Sequence, residues 1–223
     1  MAQLHGIAGE WARVKGTVAG LWPLFIGVFL LGFSIALGVF ANPGAGAVLT
    51  VLSLAWCAFS LVKGLRHVER FFKGAKGEER VAEVLARLPD AYHVFNDFVA
   101  GREHIDHVVV GPTGVFAVET KFWRGQVTLE EGHILLDGQL PSRSPLGQSV
   151  REAAAVKAAL AAKGWDGDVT PILAFAGDNF HAHIGEVGRA LIINACDLEK
   201  SFRDGREVLA AGELERLVGL MGV

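Results

Sequence analysis

Between Lys15 and Lys63 the sequence contains no Asp, Glu, Lys or Arg. A stretch that long without charge excludes an ordinary solvated surface for this part of the chain. Cysteine is nearly absent too, with only Cys57 and Cys196 among 223 residues. Both lie in apolar surroundings, which excludes a disulfide framework or a cysteine-built zinc cage and fits a reducing cytoplasm. Nor is there an excess of basic charge: 21 Lys and Arg stand against 24 Asp and Glu. With Glu10, Arg13, Lys15 and Lys63 set aside the rest is more acidic still, which weakens the case for a broad electrostatic grip on nucleic acid. No internal repeat or low-complexity tract is present.

What fills the uncharged stretch is two apolar runs, LWPLFIGVFLLGFSIALGVF (21–40) and GAVLTVLSLAWCAFSLV (46–62), with ANPGA between them. A helix needs about 17–25 apolar residues to cross a bilayer, so the segment reads as a transmembrane helical hairpin. A cleaved signal peptide has a shorter core and no second span behind it. Pro23 is expected in the first turn of the first span, where a missing N–H matters least. Basic residues flank the runs only on the outside: Arg13 and Lys15 before, then Lys63, Arg66, Arg70, Lys73 and Lys76 after. That bias orients both termini to the cytoplasm. The expected organisation is a cytoplasmic segment at 1–20, the hairpin at 21–63, a basic juxtamembrane linker at 64–73 and one folded domain at 74–223. The expected location is a bacterial-type inner (plasma) membrane, with the lipid bilayer as a partner and basic residues beside its headgroups.

In the folded part, GEERVAEVLARL (77–88) has helical periodicity, with Val81, Ala82, Leu85 and Leu88 on one stripe. YHVFNDFV (92–99) reads as a strand. HVVVG and GVFAVETK flank Pro112-Thr113 as a hairpin, and QVTLEEGHILLDG (126–138) reads as a second hairpin turning at Glu131-Gly132. Residues 144–164 form a helix with Pro145 near its start; 169–177 and 189–195 are short apolar strands; the tail is helical. This order predicts an α/β domain around a mixed sheet flanked by helices.

Ionised groups at the ends of core strands are costly without partners, yet the first hairpin carries Asp106 on one strand and Glu119 and Lys121 on the other. If Gly111 pairs with Gly114, Asp106 faces Glu119 and His104 faces Lys121, and the Cβ atoms of the two acids lie about 5 Å apart on one face. Like charges so placed destabilise a sheet unless a cation bridges them, which points to a hard-oxygen Mg²⁺ (or Mn²⁺) site with an ammonium beside it. A type I turn with a G1 bulge would shift the register by one and oppose Asp106 to Thr120 instead. Both registers are open at this level. Glu78 lies on the apolar stripe of its helix. A carboxylate in a first turn serves the helix dipole, but the neighbouring Glu79 could do that while solvated.

GAKGEERVAEVLARL, YHVFNDF, IDHVVVGPTGVFAVETKFWRG and SPLGQ, in that order over about 74–175, together resemble the NERD (nuclease-related) domain, assigned to the PD-(D/E)xK nuclease superfamily. The resemblance implies a restriction-endonuclease-like fold preceded here by the transmembrane hairpin, and a metal-dependent hydrolase acting on nucleic acid, DNA or RNA. It implies that Asp106 and Glu119 hold Mg²⁺, with Glu78 at its edge directly or through water. Lys121 would orient the attacking water or stabilise the phosphate, and Gln148 would touch the phosphate backbone. No helicase, kinase or zinc-binding module of the broader family pattern is read in these 223 residues.

Two other signals rank lower. REHIDH is similar to the zinc motif HxHxDH, with Arg102 where the first His would stand. A His104, Asp106 and His107 site needs adjacent strand residues to share a metal, which alternation opposes. His181 and His183 read as loop residues, and Trp123 beside Arg124 reads either as a base-stacking platform or as local packing. The competing class of function is a catalytically silent nucleic-acid-binding or scaffold module held at the membrane.

Overall fold

The computed structural model describes residues 1–182 and 184–222; His183 and Val223, the latter the end of the chain, lie outside the described residues. The chain forms two compact units, Glu10–Ala75 and a second made of Met1–Gly9 with everything from Lys76 onward.

The first unit is built from α1 (Glu10–Phe40) and the larger part of α2 (Pro43–Leu85). The turn between them has the chemistry expected of ANPGA: Asn42 Oδ1 accepts the backbone N–H of Ala45 at 3.0 Å and Pro43 opens the helix. Small residues line the seam, with Gly16, Gly20, Gly27 and Ser34 of α1 buried. Gly46, Ser53, Ser60 and Gly64 of α2 are buried as well. The Ser34 and Thr50 hydroxyls bond at 3.0 Å. The backbones approach so closely that a Cβ on Gly46 would lie 2.2 Å from the Gly38 Cα. Large apolar side chains, among them Phe25, Phe29, Phe33, Val51, Leu54 and Phe59, face outward. Small inside and large apolar outside inverts the usual amphipathic pattern and is how helices pack in lipid. Both helices are long and apolar enough to cross a membrane.

Two sequence expectations change here. Because α1 begins at Glu10, Pro23 lies inside the helix rather than in its first turn, and one backbone hydrogen bond is lost there. Residues 64–73 are helical throughout, so Glu78 lies deep within α2 and has no helix N-terminus to serve.

The second unit is a seven-stranded mixed sheet in the order β1-β2-β3-β4-β7-β9-β8. Its strands are β1 (Gln3–His5), β2 (His93–Ala100), β3 (Glu103–Gly111), β4 (Gly114–Lys121), β7 (Val169–Phe175), β8 (Ile184–Val187) and β9 (Ala190–Asn194). A separate hairpin, β5 (Val127–Glu130) with β6 (His133–Leu136), matches the turn expected at Glu131-Gly132. The strands from β2 to β4 are antiparallel; β4, β7 and β9 are mutually parallel. The mixed α/β architecture expected from the sequence is therefore present. β1 and β8 are additions; β1 is three residues long, too short to carry a periodic signal.

Helices cover both faces. Val81 and Leu85 of α2 pack on Val94, Val109, Val118 and Ile193, joined by Leu198 and Phe202 of α4 (Ala195–Arg203). On the other face Ala153, Val156 and Leu160 of α3 (Pro145–Ala161) meet Val108, Val110, Val115 and Ala117, with Leu214 and Leu217 of α5 (Ala211–Met221). Burial on both faces is why β3 and β4 read as continuous apolar runs instead of alternating.

The register of the β3–β4 hairpin, left open by turn chemistry, is Gly111↔Gly114 through His107↔Val118. Gly111 lies under the Tyr92 ring, where a Cβ would come within 2.1 Å of Cδ1. Tyr92 is itself fixed, its hydroxyl bonding to Thr113 at 3.0 Å and donating to the Phe202 carbonyl at 3.1 Å. Tertiary packing around the turn thus agrees with the register that brings the two acids together.

Candidate active site

The β3–β4 ladder stops at His107↔Val118, and the β2–β3 ladder skips the pair Asp97 with Asp106 between Asn96↔His107 and Phe98↔Ile105. Asp97 has φ 53°, a left-handed conformation that Asp tolerates better than most residues. Asp106 therefore has no ladder partner on either side, and its carboxylate takes up a backbone donor: Thr120 N–H donates to Asp106 Oδ2 at 2.7 Å.

Past this gap β4 continues beside β7 as far as Lys121↔Phe175, and positions 119 and 121 share one face by alternation. Glu119 is 3% exposed and forms an ion pair with Lys121. Lys121 Nζ also donates to Gln148 Oε1 at 3.1 Å, and Gln148 Nε2 donates to Glu152 Oε1 at 2.8 Å. Gln148 and Glu152 are one helical turn apart on α3, whose start is set by Ser144 accepting the Gly147 N–H and by Pro145 at the first position. From α2, Glu78 joins at 8% exposure, its Oε2 buried without a hydrogen-bond partner. Glu78, Asp106, Glu119, Lys121 and Gln148, the five residues singled out in the sequence, thus gather at one place.

These carboxyl groups act on one another through their charges. Asp106 is pushed well above the usual carboxylate range, by burial first and then by the charges of Glu119 and Glu78, against the pull of the Thr120 N–H. Glu78 is raised to about 7 by burial, then by Asp97 and Glu119, with His104 and Lys121 partly offsetting them. Glu152 is raised to about 9, by burial and then by Glu119, while the Gln148 hydrogen bond opposes the shift. With one ammonium among four carboxyls, the cluster reduces its negative charge by keeping protons.

The donor set is carboxylate oxygen, the kind Mg²⁺ takes, and the orphaned Glu78 Oε2 suits such an ion. Among the described residues, however, no three His, Cys, Asp or Glu side chains are grouped as ligands round a common point. Lys121 engages Glu119, and Thr120 engages Asp106. The residues fit the ion in kind, in a closed arrangement.

Other expectations resolve differently. His104 does not face Lys121: β3 has parted from β4 by then, and the imidazole pairs with Asp97 at 3.3 Å. His107 is fully buried, Nδ1 2.8 Å from Asn96 Oδ1, and burial lowers it to about 4. Each histidine of the HIDH motif thus has its own partner, away from a shared zinc. Trp123 packs on Phe175, ring centroids 5.7 Å apart, so local packing accounts for it. His181 sits in a turn, its N–H donating to the Val127 carbonyl at 2.9 Å; its companion His183 falls outside the described residues. Two residues of the cluster escaped the sequence reading. Glu152, 1% exposed, lies on the buried stripe of α3 with Ser149, Val156 and Leu160, so the test that singled out Glu78 would have found it. Asp97 gave no such signal, because its role follows from the skipped ladder pair.

An uncharacterized protein of Bacillus anthracis is 39% identical over 74 residues, covering 30% of this chain and 34% of the relative. The chain thus spans about a third of that relative's length. No solved structure matches. Residues 73–176 match the family model described as NERD, nuclease-related domain. Those residues are thus similar to a nuclease-related domain, and the carboxylate cluster lies within them.

Proposed function

We propose that the protein is a membrane-anchored nuclease, hydrolysing phosphodiester bonds of DNA or RNA on the cytoplasmic side with Mg²⁺ or Mn²⁺. One observation carries this: Asp106, Glu119 and Glu78 come from three separate elements, and the Glu119 charge raises the proton affinity of the other two beside the Lys121 ammonium. Such mutual repulsion costs stability with no structural return, and a divalent cation reverses its sign. Asp106 and Glu119 would hold the ion, with Glu78 at its edge; when bound, it would make a water acidic and neutralise charge on the phosphate. Lys121 orients the attacking water or stabilises the phosphate oxygens. Gln148 steers Lys121 through its 3.1 Å hydrogen bond and offers a contact to the backbone phosphate.

Membrane attachment is supported by the inverted packing of α1 and α2 and by connectivity. Gln3–His5 pair with β2 in the same sheet as the C-terminal part. This connectivity supports a hairpin that leaves and returns on one side of the membrane, with both termini in one compartment. A reporter fused after Val223 is expected to be cytoplasmic; an extracytoplasmic signal refutes the topology.

The test of activity is cleavage of supercoiled plasmid and of RNA by the full chain with Mg²⁺, then with EDTA. E119A and K121A should each lose at least about a hundredfold. Cleavage that survives both substitutions overturns the site. A binding module without turnover is the second reading, favoured by the Lys121–Glu119 ion pair that closes the cluster. It predicts retention of a labelled oligonucleotide with no cleavage in either ion.

A further inference from the structure

The helical hairpin contains a cavity of about 460 Å³ whose two ends differ in chemistry. That volume is within the range of about 300–1,000 Å³ typical of small-molecule sites. At one end Pro23, Trp56 and Phe59 form apolar walls; at the other stand Lys63, His67 and Arg70, and no acidic residue lines it. The three polar residues fall at i, i+4 and i+7 and so lie on one face of α2. Two contacts fix the frame. Trp56 Nε1 donates to the Pro23 carbonyl at 3.0 Å, and Lys63 Nζ lies 4.9 Å over the Phe59 ring, where the two ends meet. The helices also approach closely beside the cavity: a Cβ on Gly64 would lie 2.3 Å from the Gly20 carbonyl oxygen. Large side chains at those positions would fill it.

We propose that this cavity binds an anionic phospholipid, its phosphate between Lys63 and Arg70 and an acyl chain along Pro23, Trp56 and Phe59. The proposal rests on the membrane-anchored part of the proposed function. Charge complementarity selects the occupant: cations at one end with no acid among them, and apolar walls at the other. Depth agrees. Lys63 is the first charge after the apolar run, and from Lys63 to Arg70 the helix rises about 10 Å. A headgroup layer is about 5–8 Å thick on each side of the hydrocarbon core. A soluble anion would satisfy the cations but leave the apolar end unexplained. Basic residues beside a span attract anionic lipid in general; the cavity makes that attraction a site.

The experiment uses the full chain in neutral detergent and reads lipid retention by native mass spectrometry. Phosphatidylglycerol should be retained at concentrations at least tenfold below phosphatidylcholine, and millimolar inorganic phosphate should not displace it. K63Q and R70Q should each weaken retention about fivefold, and the double variant about thirtyfold. R66Q, which removes an exposed charge of the same helix that does not line the cavity, should change it less than twofold. Equal retention of the two lipids overturns the site, as does an R66Q effect equal to that of K63Q. Displacement by phosphate identifies a free-anion site and overturns the lipid. Flotation with vesicles of phosphatidylcholine alone tests the anchor separately. A chain that floats yet shows no lipid preference refutes only the cavity; one that does not float refutes membrane attachment itself.

Discussion

The clearest quantitative consequence of the cluster concerns Glu152→Gln. Glu152 has a folded-state pKa of about 9 against an ordinary value of 4.5. The folded state therefore binds more protons than the unfolded chain between those values. Stability from this group is fully present below about pH 4.5 and falls as pH rises toward 9. Between pH 6 and 8.5 the fall is at most about 3 kcal/mol, at 1.36 kcal/mol per unit. Coupling of its titration to that of Asp106 reduces it to about 1–2 kcal/mol. An amide keeps the acceptor for Gln148 Nε2 and cannot ionise. Wild type should thus lose more on going from pH 6 to 8.5 than the variant does. For a chain of this size the difference corresponds to about 2–8 °C in Tm. Intrinsic fluorescence melts of the full chain in detergent, without divalent cation, measure it. Equal losses in the two proteins would mean that Glu152 is solvated or already ionised, and the electrostatic account of the cluster would fail.

Divalent cation should invert this dependence: because binding displaces protons from Asp106 and Glu78, stabilisation by Mg²⁺ should grow from pH 6 to 8, and a Tm shift that shrinks over that range refutes it. Gly64→Ile places a branched side chain where a Cβ alone meets the Gly20 carbonyl at 2.3 Å; the hairpin should splay, read as a large gain in protease sensitivity of residues 10–75, while Gly74→Ala, with open space around it, should change nothing. Removing residues 1–9 uncovers the β2 edge and deprives Asn96 Nδ2 of the Gly6 carbonyl, 3.3 Å away; the expected cost is about 1–3 kcal/mol with new self-association, seen in melts and sedimentation, and an unchanged Tm would show that β1 is dispensable.

How legible the site was depends on the range of the interactions that make it. Glu78, Asp106, Glu119 and Lys121 could be found because each breaks a local rule: a carboxylate on an apolar stripe, or a charge at the end of a core strand. Glu152 breaks the same rule but sits in a helix rich in alanine, where the apolar stripe is faint. The skipped pair at Asp97 has no local cause. It depends on β2, β3 and β4 parting around one carboxylate, which no single strand encodes. His104 was misassigned for the same reason, since a register extrapolated past His107 assumes a ladder that has ended.

The two apolar runs gave the hairpin, but not where its helices begin and end. Hydropathy marks the lipid-compatible stretch, whereas a helix continues until its backbone is capped or broken. Nothing between Val62 and Leu85 does either, so α2 carries its helical path without interruption from the apolar run to Glu78. That continuity bears on the chemistry. The second apolar run and Glu78 belong to one helix, and Gln3–His5, which precede α1, pair with β2 in the sheet. For the proposed nuclease, nucleic acid must reach Glu119 and Lys121 on a chain whose Asp and Glu outnumber its Lys and Arg. The net acidity of the chain then works against loose, non-specific capture, and binding has to come from contacts at the site itself.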